Sequence, residues 1–490
     1  MEASATELES VRAAGSVLPV VLDLDDTLIR TNVLHELALV YVKRNPLRVF
    51  QLARWLLGGK ANLKGELAKR VTLDVDNLPV NQDVVAFAEE QKARGARVVL
   101  ATAADSLIAR RIARRFGFID EVIGTEKGVN LKGAAKATRL ASIFPGGFIY
   151  VGDSSADLKV WAVAKSAVVV SDNGSLARRA GKVGTVERHV VVGDAGKAMI
   201  RTMRPHQWAK NALVFAPLVL AGMAGDAVAW LQAGLAFLAL SLLASGTYVL
   251  NDLLDLQEDR QHWSKRHRPI ASGALPIRRA VILASALIVA AVALALLAGP
   301  AVLALLAIYA ALTVSYSLVL KRQPITDAFV LATLFTMRIG VGIAAVGAIV
   351  SPWLLVFSMF LFGSLSLAKR YTEITRMAEH ERTSVAGRGY VATDAPLVLA
   401  MGLALGLGAI VIMVLYLIED AFLANFYGDT AWLWAFPAIL FLWVGRVWLT
   451  SHRGELNDDP VVFAVRDRTS LVMGGFMVLA FVTAVIGPQI

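Results

Sequence analysis

The chain has no cysteine and little charge: 18% of its 490 residues are Asp, Glu, Lys or Arg, where a soluble protein carries about a quarter. The missing thiols exclude disulfides, thiolate zinc sites and cysteine nucleophiles. The shortage of charge, with 56% apolar residues and a mean hydropathy of +0.59, excludes a wholly soluble, disordered or fibrous protein and calls for a bilayer. In such a chain a net charge of +10 marks cytoplasmic loops and the lipid surface rather than nucleic acid. Residues 1–16 are polar and lack an apolar core, so they read as a disordered tail and not as a signal peptide.

The composition changes abruptly along the chain. Up to about residue 197 it reads as a soluble, doubly wound α/β domain. Apolar runs at 17–22, 98–101, 148–151 and 167–170 have the length of buried parallel strands, and helical periodicity lies between them at 84–94 and 105–116. From residue 204 onward, nine apolar segments are candidates to cross a bilayer: 211–224, 227–250, 279–298, 301–319, 326–346, 352–368, 396–417, 431–449 and 470–487. Lipid leaves backbone polar groups no outside partner, so these are expected to be helices. The organisation expected is a tail (1–16), an α/β domain (17–195), a linker and interfacial segment (196–210) and an all-α membrane domain (211–490).

Positive charge is absent from alternate loops. The connections near 221–229, 298–300, 347–352 and 418–431 contain no Lys or Arg. The intervening ones carry Arg260, Lys265, Arg266 and Arg268; Lys321 and Arg322; Lys369, Arg370 and Arg376; and Arg453, Arg466 and Arg468. The positive-inside rule puts these loops and the N-terminal domain in the cytoplasm. An odd number of spans then leaves the C-terminus outside.

In the soluble part, the first strand runs into Asp23-Leu24-Asp25-Asp26-Thr27. Two carboxylates two residues apart at a strand end suit one magnesium ion while one of them attacks phosphorus. A second strand ends in Thr102, a hydroxyl for a phosphate oxygen, and Lys136 opens a helical stretch with a charge to neutralise the same group. A third strand ends in Gly152-Asp153-Ser154-Ser155-Ala156-Asp157. A doubly wound sheet gathers such pieces at the carboxyl ends of its strands. One Asp after a strand is most often a cap or turn residue; the four pieces in order carry the reading.

Those motifs resemble the haloacid dehalogenase superfamily of aspartate-based phosphatases, over about 17–195. The resemblance implies Asp23 as nucleophile and Asp25 as the acid that protonates the leaving alcohol and then activates water. Thr27, Thr102 and Lys136 are implied as phosphate ligands, with Lys132 a nearby competitor for the lysine role. Asp23, Asp25, Asp153 and Asp157 are implied around Mg²⁺. The insertion at about 30–78 looks like the family's helical cap.

In the membrane part, Asn251-Asp252-Leu253-Leu254-Asp255-Leu256-Gln257-Glu258-Asp259 stands at the cytoplasmic end of the second expected span. On an unbroken helix Asp252, Asp255 and Asp259 share one narrow face. Three like charges on one stripe call for a common cation, and hard carboxylate oxygens favour magnesium with a diphosphate. The basic run Arg260, Lys265, Arg266, His267 and Arg268 follows, a mixture suited to a metal–polyphosphate.

This motif resembles the first aspartate-rich motif of the UbiA superfamily of intramembrane transferases, a nine-helix family, over about 200–490. UbiA prenyltransferases carry a second aspartate cluster. Here only Asp327 stands in its place, with Lys321 and Arg322 before it, then Arg338 in an apolar span and Lys369-Arg370 beyond; an intramembrane arginine is functional by default. That pattern, with the segment Arg204-Pro205-His206-Gln207-Trp208-Ala209-Lys210-Asn211, resembles the UbiA branch of decaprenyl-phosphate phosphoribosyltransferases. Asp252 and Asp255, with Asp259, are implied to hold Mg²⁺ on the pyrophosphate of phosphoribosyl pyrophosphate. Lys210, Asn251, Arg266, Lys321, Arg322, Asp327, Arg338, Lys369 and Arg370 are candidates for substrate contact.

The combined expectation is a bifunctional enzyme of a bacterial inner membrane, with both sites cytoplasmic. It would transfer 5-phosphoribosyl from phosphoribosyl pyrophosphate to polyprenyl phosphate, and its phosphatase would then remove the 5-phosphate. Prenyl transfer from a polyprenyl diphosphate to an aromatic acceptor, or a phosphatase with a membrane anchor, are the alternatives.

Overall fold

Val20 and Leu22 pack on one side of a sheet and Val21 on the other, the period-two alternation of a strand buried on both faces. The computed structural model of the protein describes residues 17–125, 131–379, 389–456, 463–464 and 466–487; the expected tail lies outside them. The chain forms two compact units, Met1–Met203 with Tyr248–Ala284, and Arg204–Thr247 with Ser285–Ile490. The aspartate-rich stretch expected in a membrane domain of 211–490 therefore belongs to the first unit.

That unit is built on six parallel strands, β1 (Val20–Leu22), β2 (Val98–Asp105), β3 (Glu121–Thr125), β4 (Ile149–Gly152), β5 (Ser166–Ser171) and β6 (Val186–Val191), in the order β3-β2-β1-β4-β5-β6. Between β1 and β2 come α1 (Val33–Arg44), α2 (Val49–Leu57), α3 (Lys60–Arg70) and α4 (Gln82–Ala93). The first three form the expected helical insertion. After β2 come α5 (Ser106–Ala113), α6 (Ala134–Ile143), α7 (Gly174–Ala180) and α8 (Ala195–Met203). The register aligns Leu22 with Leu100 and with Val151. Asp23 and Asp153, which follow β1 and β4, therefore leave the sheet at one edge, beside Thr102 within β2.

Residues 256–276 are tied to this unit by charge. Arg260 donates to both carboxylate oxygens of Glu36 on α1, at 2.6 and 3.0 Å, and its Nε donates to the Ala271 carbonyl. Thr31 gives Glu36 a third donor. The ion-paired side chains are only 5% and 1% exposed, so each charge depends on the other. Gly273 lies beside Arg30: its φ is +74° and a Cβ there would come within 2.1 Å of the Arg30 carbonyl oxygen, a place only glycine fills.

In the second unit, among the described residues, the chain has eight helices long and apolar enough to cross a membrane. They are α9 (Ala227–Leu254), α10 (Ile277–Ala298), α11 (Pro300–Leu318), α12 (Thr326–Val346), α13 (Pro352–Glu379), α14 (Ala395–Tyr416), α15 (Ala435–His452) and α16 (Arg468–Ile486); α9 ends, and α10 begins, among residues of the first unit. The nine-span expectation is corrected at its first member. Residues 211–224 fall in a 3-10 helix, Pro205–Phe215, a five-residue α-helix, Ala216–Leu220, and a turn leading into a 3-10 helix, Met223–Gly225. Pro217, which has no N–H to donate, stands where the two helices meet. Side chains help to hold the segment: Trp208 donates to Ser245 and Asn211 to Ser241, while Asn211 Oδ1 accepts from Arg338 Nε.

Removing one partner of a buried ion pair leaves an uncompensated charge, so Arg260→Met is expected to destabilise the protein by about 3–5 kcal/mol. The double variant Glu36→Leu/Arg260→Met is expected to recover most of that loss. Thermal unfolding of the two variants checks both outcomes; equal melting points for wild type and Arg260→Met would contradict them.

Candidate active sites

The edge where β1, β2 and β4 end carries a crowd of carboxylates. One oxygen from each of Asp23, Asp153 and Asp157 lies within 4.8 Å of the others, and among the described residues this is the only such group of three. The donors are hard oxygens from three acids, a set that fits Mg²⁺. Asp25 stands apart from the trio; its Oδ1 accepts the Val33 N–H at 2.7 Å. Thr27 is fully buried and donates to Asp153 Oδ1 at 3.1 Å, so it orients an acid where a phosphate contact was expected. Thr102 is also fully buried, and its Oγ1 accepts the Ala104 N–H.

Between the two lysines left open by the sequence, Lys136 makes the contact. Its Nζ is 2.9 Å from Asp23 Oδ2 and the side chain is 3% exposed, whereas Lys132 is exposed and lines the cavity above. Tyr150 was not foreseen. Its hydroxyl accepts from Lys136 at 2.9 Å and donates to Asp157 at 3.0 Å, with Asp23 Oδ2 3.4 Å away. Only the inward alternation of β4 hints at it. Gly152 is needed here, since a Cβ would meet the Tyr150 ring at 2.7 Å and the Asp157 carboxyl at 3.0 Å. Lys64, from α3 of the cap, donates to the Ala103 carbonyl at 2.7 Å.

Burial dominates the electrostatics. It raises Asp25 to about 7 and Asp26 to about 6. It pushes Asp153 well above the ordinary carboxylate range, helped by the charges of Asp23 and Asp157. Asp23 is raised too, because burial outweighs its pairing with Lys136.

The aspartate-rich stretch departs from an unbroken helix. α9 ends at Leu254, and Asp255 caps a new short helix, Leu256–Gln261. The break separates the expected stripe. Asp252 and Asp259, each 2% exposed, converge on Nη1 of Arg268 at 3.0 and 2.7 Å, while Asp255 accepts from Asn251 at 3.1 Å. Burial raises the Asp259 carboxyl although Arg268 opposes the shift. Arg268 thus fills the seat of the cation that the sequence called for. Arg266 is exposed and contacts His267.

In the second unit Asp327 is fully buried; it accepts from Tyr390 at 2.6 Å and lies 3.4 Å from Arg370 Nε. Arg370 also donates to Glu373 at 2.5 Å. Arg338 is bound on three sides, by Asn211, the Leu334 carbonyl and the Tyr309 hydroxyl, which makes it a brace between the 205–215 helix and α12. Lys210 lies over the Phe335 ring, Lys369 is half-buried on α13, and Lys321 and Arg322 occupy a 3-10 turn between α11 and α12.

An acid whose folded pKa is raised keeps its proton in the native state where the unfolded chain has lost it, so its contribution falls as pH rises between the two values. For Asp25 and Asp26 that window runs from 3.8 to about 7 and about 6. The metal-free protein is expected to melt at least about 4 °C higher at pH 5 than at pH 8, and Mg²⁺ is expected to raise the midpoint more at pH 8. A lower melting point at pH 5, or equal Mg²⁺ effects, would contradict the crowding.

Known proteins share both halves. Residues 212–484 match the UbiA prenyltransferase family and residues 20–161 the haloacid dehalogenase-like hydrolases. An uncharacterised protein, y4nM, of Sinorhizobium fredii is 38% identical over 470 residues, 95% of this chain and 91% of its own length. Nodulation protein NoeC of Azorhizobium caulinodans is 35% identical over 272 residues, 55% of this chain and 87% of its own. Decaprenyl-phosphate phosphoribosyltransferase of Corynebacterium glutamicum is 37% identical over 193 residues, 38% of this chain and 56% of its own. A solved UbiA homolog from Archaeoglobus fulgidus, bound to GPP and Mg²⁺, covers 59% of this chain and 98% of its own with a TM-score of 0.45 and 14% identity. The chain belongs to the UbiA prenyltransferase family and carries a haloacid dehalogenase-like hydrolase domain ahead of its UbiA region.

Proposed function

We propose that the chain is a bifunctional membrane enzyme that makes a polyprenyl-phosphoribose in two steps. In the first, an oxygen of polyprenyl phosphate bonds to the anomeric carbon of phosphoribosyl pyrophosphate, and the bond from that carbon to pyrophosphate breaks. In the second, Asp23 attacks the 5-phosphate, the bond from phosphorus to the C5 oxygen breaks, and Asp25 gives that oxygen a proton. Water, deprotonated by Asp25, then releases inorganic phosphate from Asp23. The observation that carries this reading is the joint presence, in one chain, of 37% identity to a decaprenyl-phosphate phosphoribosyltransferase and a lysine-paired aspartate site of the hydrolase type.

The contacts support these roles. Lys136 holds Asp23 ready and meets the phosphoryl oxygens, while Tyr150 keeps Asp157 and Lys136 in place. Asp23, Asp153 and Asp157 would hold one Mg²⁺, and Asp252 and Asp259, whose carboxylates meet at Arg268, would hold another in place of that guanidinium. These ions supply charge for the phosphoryl oxygens and for the departing pyrophosphate. Asp327, Arg370, Lys369, Lys321, Arg322 and Lys210 are assigned to the ribose and phosphate groups. Phosphoribosyl transfer leaves a 5-phosphate, and fusion raises the effective concentration of the phosphatase for that product.

Loop charge supports a cytoplasmic hydrolase domain in the inner membrane of a bacterium. The alternation then requires the 205–220 segment to carry the chain across before α9 and leaves the C-terminus outside.

Mass spectrometry of lipid products from protein given polyprenyl phosphate and phosphoribosyl pyrophosphate tests the reading. Asp23→Asn is expected to accumulate a species one phosphate heavier than the wild-type product, and Asp252→Asn to lower total product at least about 100-fold, as loss of a transition-state charge contact does. Identical products from wild type and Asp23→Asn would contradict the second step. Unaltered yield from Asp252→Asn would reduce the membrane half to an anchor.

A further inference from the structure

The aspartate site opens into a cavity of about 1070 Å³, at the top of the range for small-molecule pockets, about 300–1,000 Å³. A pentose phosphate alone leaves most of that space unfilled. Every lining residue belongs to the first unit, yet one wall is made by Gly273, Ala274, Pro276, Ile277 and the pair Arg278 and Arg279. These residues follow the aspartate-rich stretch and enter the first turn of α10, which is long and apolar enough to cross a membrane.

Two arginines in the first turn of a helix are misplaced for helix stability. The macrodipole disfavours a cation there by about 0.3–1 kcal/mol each, and the same N-terminus favours an anion. Both side chains are exposed toward the cavity. Arg279 pairs with Asp172 at 3.3 Å and its charge also reaches Asp26; His35, which lines the same cavity, has its pKa lowered by burial and then by the charge of Arg278. With Arg30, Lys60, Lys64, Lys132 and Lys136 also lining the space, seven cations face the six carboxylates of Asp23, Asp25, Asp26, Asp153, Asp157 and Asp172.

We propose that Arg278 and Arg279 form a second anion subsite of the phosphatase cavity, taking a phosphodiester on the far side of the sugar whose terminal phosphate lies on Asp23. The proposal rests on the reading that this unit hydrolyses a pentose 5-phosphate. It names the substrate class: a sugar carrying one phosphomonoester and, across the ring, one phosphodiester. Because the two arginines begin a membrane helix, the diester is met where a lipid-linked sugar would stand, and a soluble sugar with the same two groups shares the recognising chemistry.

The test compares phosphate release by the full-length protein from three substrates. They are ribose 5-phosphate, its 1-(methyl phosphate) diester, and the same diester bearing a short polyprenyl chain. A hydrogen-bonded ion contact is worth about 1.5–3 kcal/mol, so both diesters are expected to show a KM at least about tenfold below that of ribose 5-phosphate. Arg278→Gln/Arg279→Gln is expected to bring the ratio of kcat/KM values, diester over monoester, close to one, acting through KM. Arg278→Gln, which keeps the Arg279–Asp172 pair, is expected to give an intermediate ratio and decides the matter if the double variant does not fold.

Equal KM values for all three in wild type overturn the subsite and leave the phosphatase reading standing. A preference for the polyprenyl compound alone also overturns it, since recognition would then lie in the lipid chain. Phosphate release from none of them overturns the reading beneath it, and the subsite with it.

Discussion

Carboxylates crowded away from water repel one another, and in this chain each such crowd is matched to a cation. At the end of the sheet Lys136 pairs with Asp23 inside a trio of acids. At the end of α9, Arg268 bridges Asp252 and Asp259. A buried charge costs several kcal/mol unless it is paired. Neither arrangement is one that packing alone would select. Both are the kind that a metal–phosphate ligand relieves, since it brings positive and negative charge together.

The first unit also joins what the family matches divide. Residues 248–284 fall within the UbiA region, yet they pack into one body with the hydrolase residues. The Glu36–Arg260 pair is the strongest tie among the contacts, with Lys43–Glu258 and Gln261–Asp74 beside it at the surface. The exposed pair adds little; the buried one fixes α1, at the start of the cap, to the stretch just after Asp259. A movement of either element therefore acts on the other, and the cavity wall at Arg278 and Arg279 belongs to the same connected stretch.

Much of this was legible because it depends on local pattern. The runs at 17–22, 98–101, 148–151 and 167–170 overlap β1, β2, β4 and β5, because strands buried on both faces need continuous apolar residues. β3 and β6 escaped notice: Glu121–Thr125 is only half-buried and Val186–Val191 is largely exposed, so neither edge strand carries such a run. Eight of the nine expected spans are long helices; the first is a 3-10 helix and a short α-helix, with Pro217 unable to donate to the ladder between them. The motif acids at the sheet edge were legible for the same reason that strand ends are. The break at Asp255, the Tyr150 bridge and the closure of Arg268 onto Asp252 depend on contacts distant in sequence or on the chain's path after a helix end, and periodicity carries no trace of them.

The central claim is that one chain first attaches a phosphorylated pentose to a lipid phosphate and then strips its 5-phosphate. Phosphoribosyl pyrophosphate labelled with ¹⁴C in the ribose and ³²P in the 5-phosphate tests it most directly, incubated with polyprenyl phosphate, Mg²⁺ and the purified protein. The account predicts ¹⁴C in the lipid fraction and ³²P released as inorganic phosphate in step with it. A lipid fraction without ¹⁴C, in protein that does transfer label from a polyprenyl diphosphate to an aromatic acceptor, would contradict it.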